Sequence, residues 1–279
     1  MTRIRRVVLA QNLTNRSAQT VGAAVRLAAK LGAQVLGLFV EDPNLLRWAE
    51  LPIAKQVSPF NTAGNHLDRE RLEAQLHALS VQSQAELETA AGRFGVTCSF
   101  QVVRGEIGQV FTSLEPAEDL LVLTTQRQVL GLKVYSPSSL ASVLGQVQRS
   151  MLLLPQHSSF REPLVVLHSA SLKAEAVLDV ALSIREAGTQ PLTVLITGDE
   201  AAMGPAMQAW QTGRKVRVRT IYAGQVGLER LAHIQALSGC DGLVLGADSP
   251  LLTGEGLQRW LTFAQTPVLV LQSTEANHL

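Results

Sequence analysis

Thr125, Gln128, Ser138 and Ser139 stand in the spacing Thr-x2-Gln-x9-Ser-Ser, between the apolar runs Asp119-Leu-Leu-Val-Leu-Thr124 and Met151-Leu-Leu-Leu154. Runs of this kind read as buried parallel strands, and Ser138 to Gln146 reads as a helix opened by hydroxyl side chains. The chemistry on offer is binding rather than bond-making. The free amides and positive dipole end of a helix N-terminus can receive an anionic group, with Arg127 or Lys133 as a compensating charge. The same serines can equally act as a plain N-cap worth about 1 kcal/mol. A loop that wraps phosphates needs its backbone close to the anion, often at positive φ. The β-branched Thr125, the long Gln128 and Pro137 ahead of the helix do not supply that freedom.

Other constellations point to no reaction. His168-Ser169 lacks a Gly-x-Ser-x-Gly elbow, and neither Gly-x-Gly-x-x-Gly nor Gly-x4-Gly-Lys-[Ser/Thr] occurs. Of the six histidines only His66 and His77 fall in one expected helical region. They would lie about 16 Å apart, too far for one metal ion. Cys98 and Cys240 carry no Cys-x-x-Cys or Cys/His spacing, so both are expected as buried small hydrophobes in a reducing compartment. With 24 basic and 23 acidic residues the net charge is +1, which argues against nucleic-acid or anionic-membrane binding. The basic N-terminus is followed by an apolar run, Val7 to Ala10, far too short for a signal peptide core or a membrane span. No membrane insertion and a cytoplasmic location are expected.

The elements that must position the first set of residues alternate along 279 residues, 46% of them hydrophobic. Arg6 to Ala10 reads as a strand, Asn15 to Leu31 as a helix closed by Gly32, and Gln34 to Val40 as a strand. Prolines 43, 52 and 59 interrupt a long aperiodic loop, Glu41 to His66, whose Leu45, Leu46 and Trp48 could close over a pocket or simply pack. Leu67 to Phe94 is helical, with Leu72, Leu76, Leu79 and Leu87 as a core stripe. Val96 to Val103, Gly105 to Leu114 and the opening stretch complete five strands. After a polar linker, Pro155 to Pro163, the same order recurs: strands at 164–168, 192–196, 215–221, 242–246 and 268–271, with helices between. Asp119-Leu-Leu-Val-Leu matches Asp241-Gly-Leu-Val-Leu, and Met151-Leu-Leu-Leu matches Val268-Leu-Val-Leu. Alternation of this kind means a parallel sheet, and its recurrence means duplication at the level of fold.

The spacing Thr125-x2-Gln128-x9-Ser138-Ser139 resembles the Gly-x2-Gly-x9-Gly-[Ser/Thr] loop of the universal stress protein family, with every glycine replaced. The resemblance covers nearly the whole chain as two tandem copies. It implies an α/β fold of two Rossmann-like units, 1–157 and 158–279, each an open five-stranded parallel sheet in the order 3-2-1-4-5 with helices on both faces. Met151–Leu154 and Val268–Leu271 could then pair as an intramolecular pseudo-dimer, and the chain could also form a homodimer. Arg214-Lys-Val-Arg-Val-Arg219 would lie on a sheet edge, where charge discourages aggregation.

The family's ATP site maps onto Asn12, Val40, Thr125, Gln128, Ser138 and Ser139 as a modified adenine-nucleotide pocket. Asn12 and Ser169 stand where the family has an aspartate, and both are also ordinary turn formers. In the second copy only four residues separate Ser249 from Gly254, and Glu255 would repel a phosphate. The function implied is a non-catalytic cytoplasmic stress-response or regulatory protein that acts through an unidentified protein partner or a small ligand. The alternative is an ATP- or AMP-binding switch in the first unit. An enzyme acting on an adenylated substrate has least support, and no metal or certain cofactor is expected.

Overall fold

A computed structural model of the chain describes residues 4–11, 17–49, 55–58, 61–66, 69–105, 107–114, 119–125, 149–155, 158–168, 171, 174–186, 190–224, 226–252 and 266–272. The first part contains β1 (Arg6–Gln11), α1 (Ala18–Leu31), β2 (Gln34–Glu41), α2 (Pro43–Ala49), β3 (Lys55–Ser58), β4 (Asn61–His66), α3 (Arg69–Phe94), β5 (Cys98–Arg104), α4 (Ile107–Ser113), β6 (Asp119–Thr125) and β7 (Ser150–Pro155). The second contains β8 (Pro163–His168), α5 (Ala174–Ile184), β9 (Leu192–Thr197), α6 (Glu200–Arg214), β10 (Val218–Ala223), α7 (Leu228–Ser238), β11 (Gly242–Gly246) and β12 (Val268–Leu271).

Ten of these strands form one sheet in the order β10-β9-β8-β11-β12-β7-β6-β1-β2-β5. Each half of that order is 3-2-1-4-5, and all pairings within a half are parallel. The halves meet where β12 pairs antiparallel with β7, Val268 opposite Leu153 and Val270 opposite Met151. The last strands therefore join within one chain, and β10 and β5 become the two free edges.

The near-continuous Val and Leu runs follow from burial on both faces. On β7, Leu152 and Leu154 enter one core, with Val7, Leu9, Leu87, Val177 and Met207; Met151 and Leu153 enter the other, with Val8, Phe111, Leu231 and Val270. The period of two sends alternate side chains to opposite layers. One layer holds α1, α3, α5 and α6, the other α4 and α7, and both run across the seam. Each fully buried Leu or Val contributes about 1.5–3 kcal/mol. Lys30 near the end of α1 donates to the carbonyl of Ile184, the last residue of α5, at 2.5 Å, tying helices of the two halves. Burial pushes the Lys30 ammonium pKa down, with Glu186 and Glu162 acting against that shift. Gly32 ends α1 at φ 63, and its N–H bonds the carbonyl of Ala29 at 3.3 Å. That left-handed position favours a residue without a Cβ.

At the start of the fourth strand of each half stands an aspartate. Asp119, its side chain fully buried, takes Arg6 Nε at 2.9 Å and an Arg6 terminal nitrogen at 2.5 Å, and lies 3.5 Å from Arg149. Asp241 instead accepts the backbone N–H groups of Arg161 and Glu162 at 2.9 and 2.8 Å and the Ser159 hydroxyl at 2.8 Å. Both fasten strand four to the start of strand one, by side chains in one half and mainly by main chain in the other.

Four expectations change. The segment 41–66 is not an aperiodic loop. Asp42 accepts the Asn44 N–H at 2.8 Å and opens α2 with Pro43 in its first turn, and β3 pairs antiparallel with β4. Leu46 packs with Phe39, Leu72 and Leu76, which makes it core rather than a lid. His66 lies in β4 and His77 in α3, so the two share no helix. Lys215 belongs to no strand. It closes α6 at φ 54, because Arg214 carries the helix on to a forked pair with Asp179 on α5, at 3.0 and 2.8 Å. Cys98 and Cys240 are half-buried rather than buried. Burial pushes the Cys240 thiol above its usual pKa, which keeps it protonated and unreactive at neutral pH.

Candidate functional site

In an open parallel sheet of this order, ligands bind outside the carboxyl ends of the strands where the strand order reverses. The reversal lies between β1 and β6 in the first half and between β8 and β11 in the second. Each crevice is shaped by the residues at and just beyond the ends of its two strands.

In the first half β1 ends at Gln11, opposite Phe39 of β2, and β6 ends at Thr125, opposite Pro155. Gln11 follows Val7 and Leu9 in the alternation and so faces the α1 and α3 layer. It is 3% exposed and its Oε1 has no hydrogen-bond partner. Among the described residues the other buried side-chain oxygens in that condition are Thr20 Oγ1 of α1 and Ser83 Oγ of α3, and all three belong to the first half. A buried acceptor left without a donor costs about 1–3 kcal/mol. The end of β1 therefore calls for a donor, from water or a ligand.

At the second crevice the described chain brings a carboxylate to the strand ends. After β11 the chain turns back, with Ala247 N–H on Leu271 O at 2.9 Å and Ser249 N–H on Gly246 O at 3.0 Å, and a 3-10 turn comes next at Pro250–Leu252. This turn lays the Asp248 carboxylate on the end of β11. A Cβ at Gly246 would collide with Asp248 Oδ1, and the other carboxylate oxygen accepts from Ser171 Oγ, just beyond β8, at 2.8 Å. Glycine at 246 leaves room for that carboxylate, which a side chain there would displace. A negative charge fixed at this point repels a phosphate.

Of the residues placed in the modified pocket, Val40 lies in β2, 4% exposed, with its side chain in the core beside Leu38's layer. Only its main chain is left for a ligand. Thr125 is the last residue of β6. Asn12, Gln128, Ser138 and Ser139 lie outside the described residues, as do Ser169, Arg127, Lys133 and the expected helices at 138–146 and 256–264. Sequence reasoning passed over Gln11, which sits in a polar Gln-Asn pair directly after four apolar residues. It also passed over the Asp248–Ser171 contact, whose only trace was the shortened loop after Gly246.

Solved structures match this geometry over almost its full length. A universal stress protein from Archaeoglobus fulgidus superposes with a TM-score of 0.66 at 12% identity, over 97% of each chain. The fold is that of the universal stress proteins. A putative universal stress protein from Pseudomonas aeruginosa matches at TM-score 0.58 and 13% identity, over 97% of this chain and 94% of its own. A functionally unknown protein from the same species matches at 0.55 and 12%, over 97% and 93%. No protein-family model matches the chain, and no curated protein does. Among the described residues no helix is long and apolar enough to cross a membrane, and no cluster of His, Cys, Asp and Glu is arranged to hold a metal ion.

Proposed function

We propose that this chain is a non-catalytic stress-response regulator that binds one small ligand per chain, in the crevice of the first half, and passes its occupancy to a protein partner. The observation that carries this reading is the asymmetry of the crevices: the second carries a carboxylate at its mouth, Asp248 held by Ser171, whereas the first ends in a buried, unpartnered Gln11 oxygen. Two units, 1–157 and 158–279, then divide the work, the first as sensor and the second as a scaffold fastened along β7 and β12. The cytoplasm is the compartment that suits such a role. Mass spectrometry of small molecules released from gently purified, then denatured, protein tests the ligand reading. A stoichiometric ligand supports it, and partner capture that is indifferent to ligand would sink the coupling.

The second reading is that this ligand is an adenine nucleotide, ATP or AMP. It is favoured by the Gln11 oxygen, which matches a ligand bearing an N–H donor such as an exocyclic amine, and by the likeness of fold to proteins titled universal stress proteins. Asn12, Thr125, Gln128, Ser138 and Ser139 would complete the pocket, with one anionic group at the helix start. Ser138→Glu places a carboxylate where that anion would sit. Loss of ATP binding heat in this variant supports the nucleotide, and unchanged heat refutes the placement.

A further inference from the structure

α1 and α3 pack side by side over the sheet, and between them lies a groove of about 850 Å³ that Ser158, Ser159 and Arg161 also line. Its shape comes from the sequence. Ala18 and Gly22 stand one turn apart on α1, and Ala85 and Ala90 face them on α3, so neither helix raises a ridge there. A volume of this order is that of a small-molecule site.

Three guanidinium groups come to this groove from three separate segments: Arg26 on α1, Arg93 on α3 and Arg161 before β8. Among the described residues Arg26 and Arg93 make no hydrogen bond or ion pair, and Arg161 has only a long exposed contact with Glu186, 3.7 Å. Among the described residues the one carboxylate lining the groove is Glu86, which takes the Gln82 amide at 2.8 Å. Thr89, Ser158 and Ser159 add hydroxyls, and Phe94, 43% exposed, offers an apolar ring at the rim. Three cations against one carboxylate in the described lining leave the concave surface net positive, which raises the local concentration of anions.

We infer that this groove is a second binding site, distinct from the sheet-end crevice, for a small organic polyanion. Phosphate or paired carboxylate groups of the ligand face Arg26 and Arg93, which can grip them in forked geometry, and its apolar part rests on Phe94. The inference does not depend on the nucleotide reading, since it shares no residue with that crevice.

Calorimetric titration at low salt with pyrophosphate, and separately with citrate, tests it. Saturable binding is expected. R26Q and R93Q should each weaken it about tenfold, R26Q/R93Q should abolish it, and R230Q on α7 should leave it unchanged. Thermal unfolding of each variant without ligand should match the parent, because neither arginine has a partner to lose. Absence of saturable binding by either probe, or binding that survives R26Q/R93Q, would overturn the site. Ser138→Glu separates it from the sheet-end crevice: it should leave pyrophosphate binding intact, and its loss would also overturn the groove.

Discussion

The two halves share a strand order and differ at both ends of the sheet. At the start of strand four, Asp119 is buried between two guanidinium groups whereas Asp241 is held by backbone amides and a hydroxyl. At the opposite end, the second half sets the Asp248 carboxylate on Ser171, while the first leaves the buried Gln11 Oε1 without a partner. Among the described residues the second half leaves no buried side-chain polar atom unpartnered, and the first leaves three. A duplicated fold can thus keep one copy for stability and leave the other responsive, since satisfied buried networks rigidify and unsatisfied ones invite a ligand.

The largest effect is expected at the two aspartates. Asp119→Ala removes the buried carboxylate that Arg6 and Arg149 share and should cost about 3 kcal/mol of unfolding free energy. Asp241→Ala frees amides that water can partly reach and should cost about 1–3 kcal/mol. Urea unfolding of the two variants measures the difference, and an equal or reversed order would deny that the halves are fastened differently.

A smaller effect concerns acid. Burial pushes the Asp179 carboxyl up, but hydrogen bonds from Arg214 and Trp210 outweigh it and hold its pKa below the usual value. A carboxyl whose folded pKa is depressed stabilises the fold above its unfolded pKa, and that contribution is lost as pH falls through the depressed value. Asp179→Asn should therefore lose about 1–2 kcal/mol near neutral pH and show a flatter decline of melting temperature below about pH 4 than the parent. A parallel decline in both would remove Asp179 from the acid response.

Gln11→Leu probes the contrast at the crevices. Replacing a buried amide whose oxygen is unpaired with an apolar group of similar volume should be neutral or stabilise the free protein by up to about 1 kcal/mol, while ligand-induced stabilisation falls. Loss of stability without ligand would mean that Gln11 has a protein partner after all. The smallest effect is expected from Asp248→Gly, which removes the charge and side chain that fill the second crevice. It should let inorganic phosphate bind weakly there, seen as a several-fold rise in affinity by phosphorus NMR line broadening. No change would show that the closed turn itself, rather than Asp248, excludes anions.

Much of the fold was legible because burial on both faces writes strands as Val and Leu runs. The pairing of Met151–Leu154 with Val268–Leu271 was implied by the family resemblance, and the two apolar runs only marked which segments it concerned. What stayed hidden depends on distant partners or on weak periodicity. The β3–β4 hairpin carries no alternation, as in Asn61-Thr-Ala-Gly-Asn-His66. The end of α6 is set by Asp179, 35 residues before Arg214. The closure of the second crevice rests on Ser171 and Asp248, 77 positions apart. The short loop after Gly246 pointed to a lost site, though not to the carboxylate that occupies it.

If one sheet-end crevice per chain is open and the other closed, ATP titration calorimetry on the R26Q/R93Q chain, where the helix groove adds no anion site, should count one. The expected result is about one ATP per chain, with the heat lost on adding Ser138→Glu and kept on adding Ser171→Ala. Two equivalents per chain would contradict the asymmetry of the two crevices, and no binding at all, or binding indifferent to Ser138→Glu, would contradict the nucleotide reading of the open one.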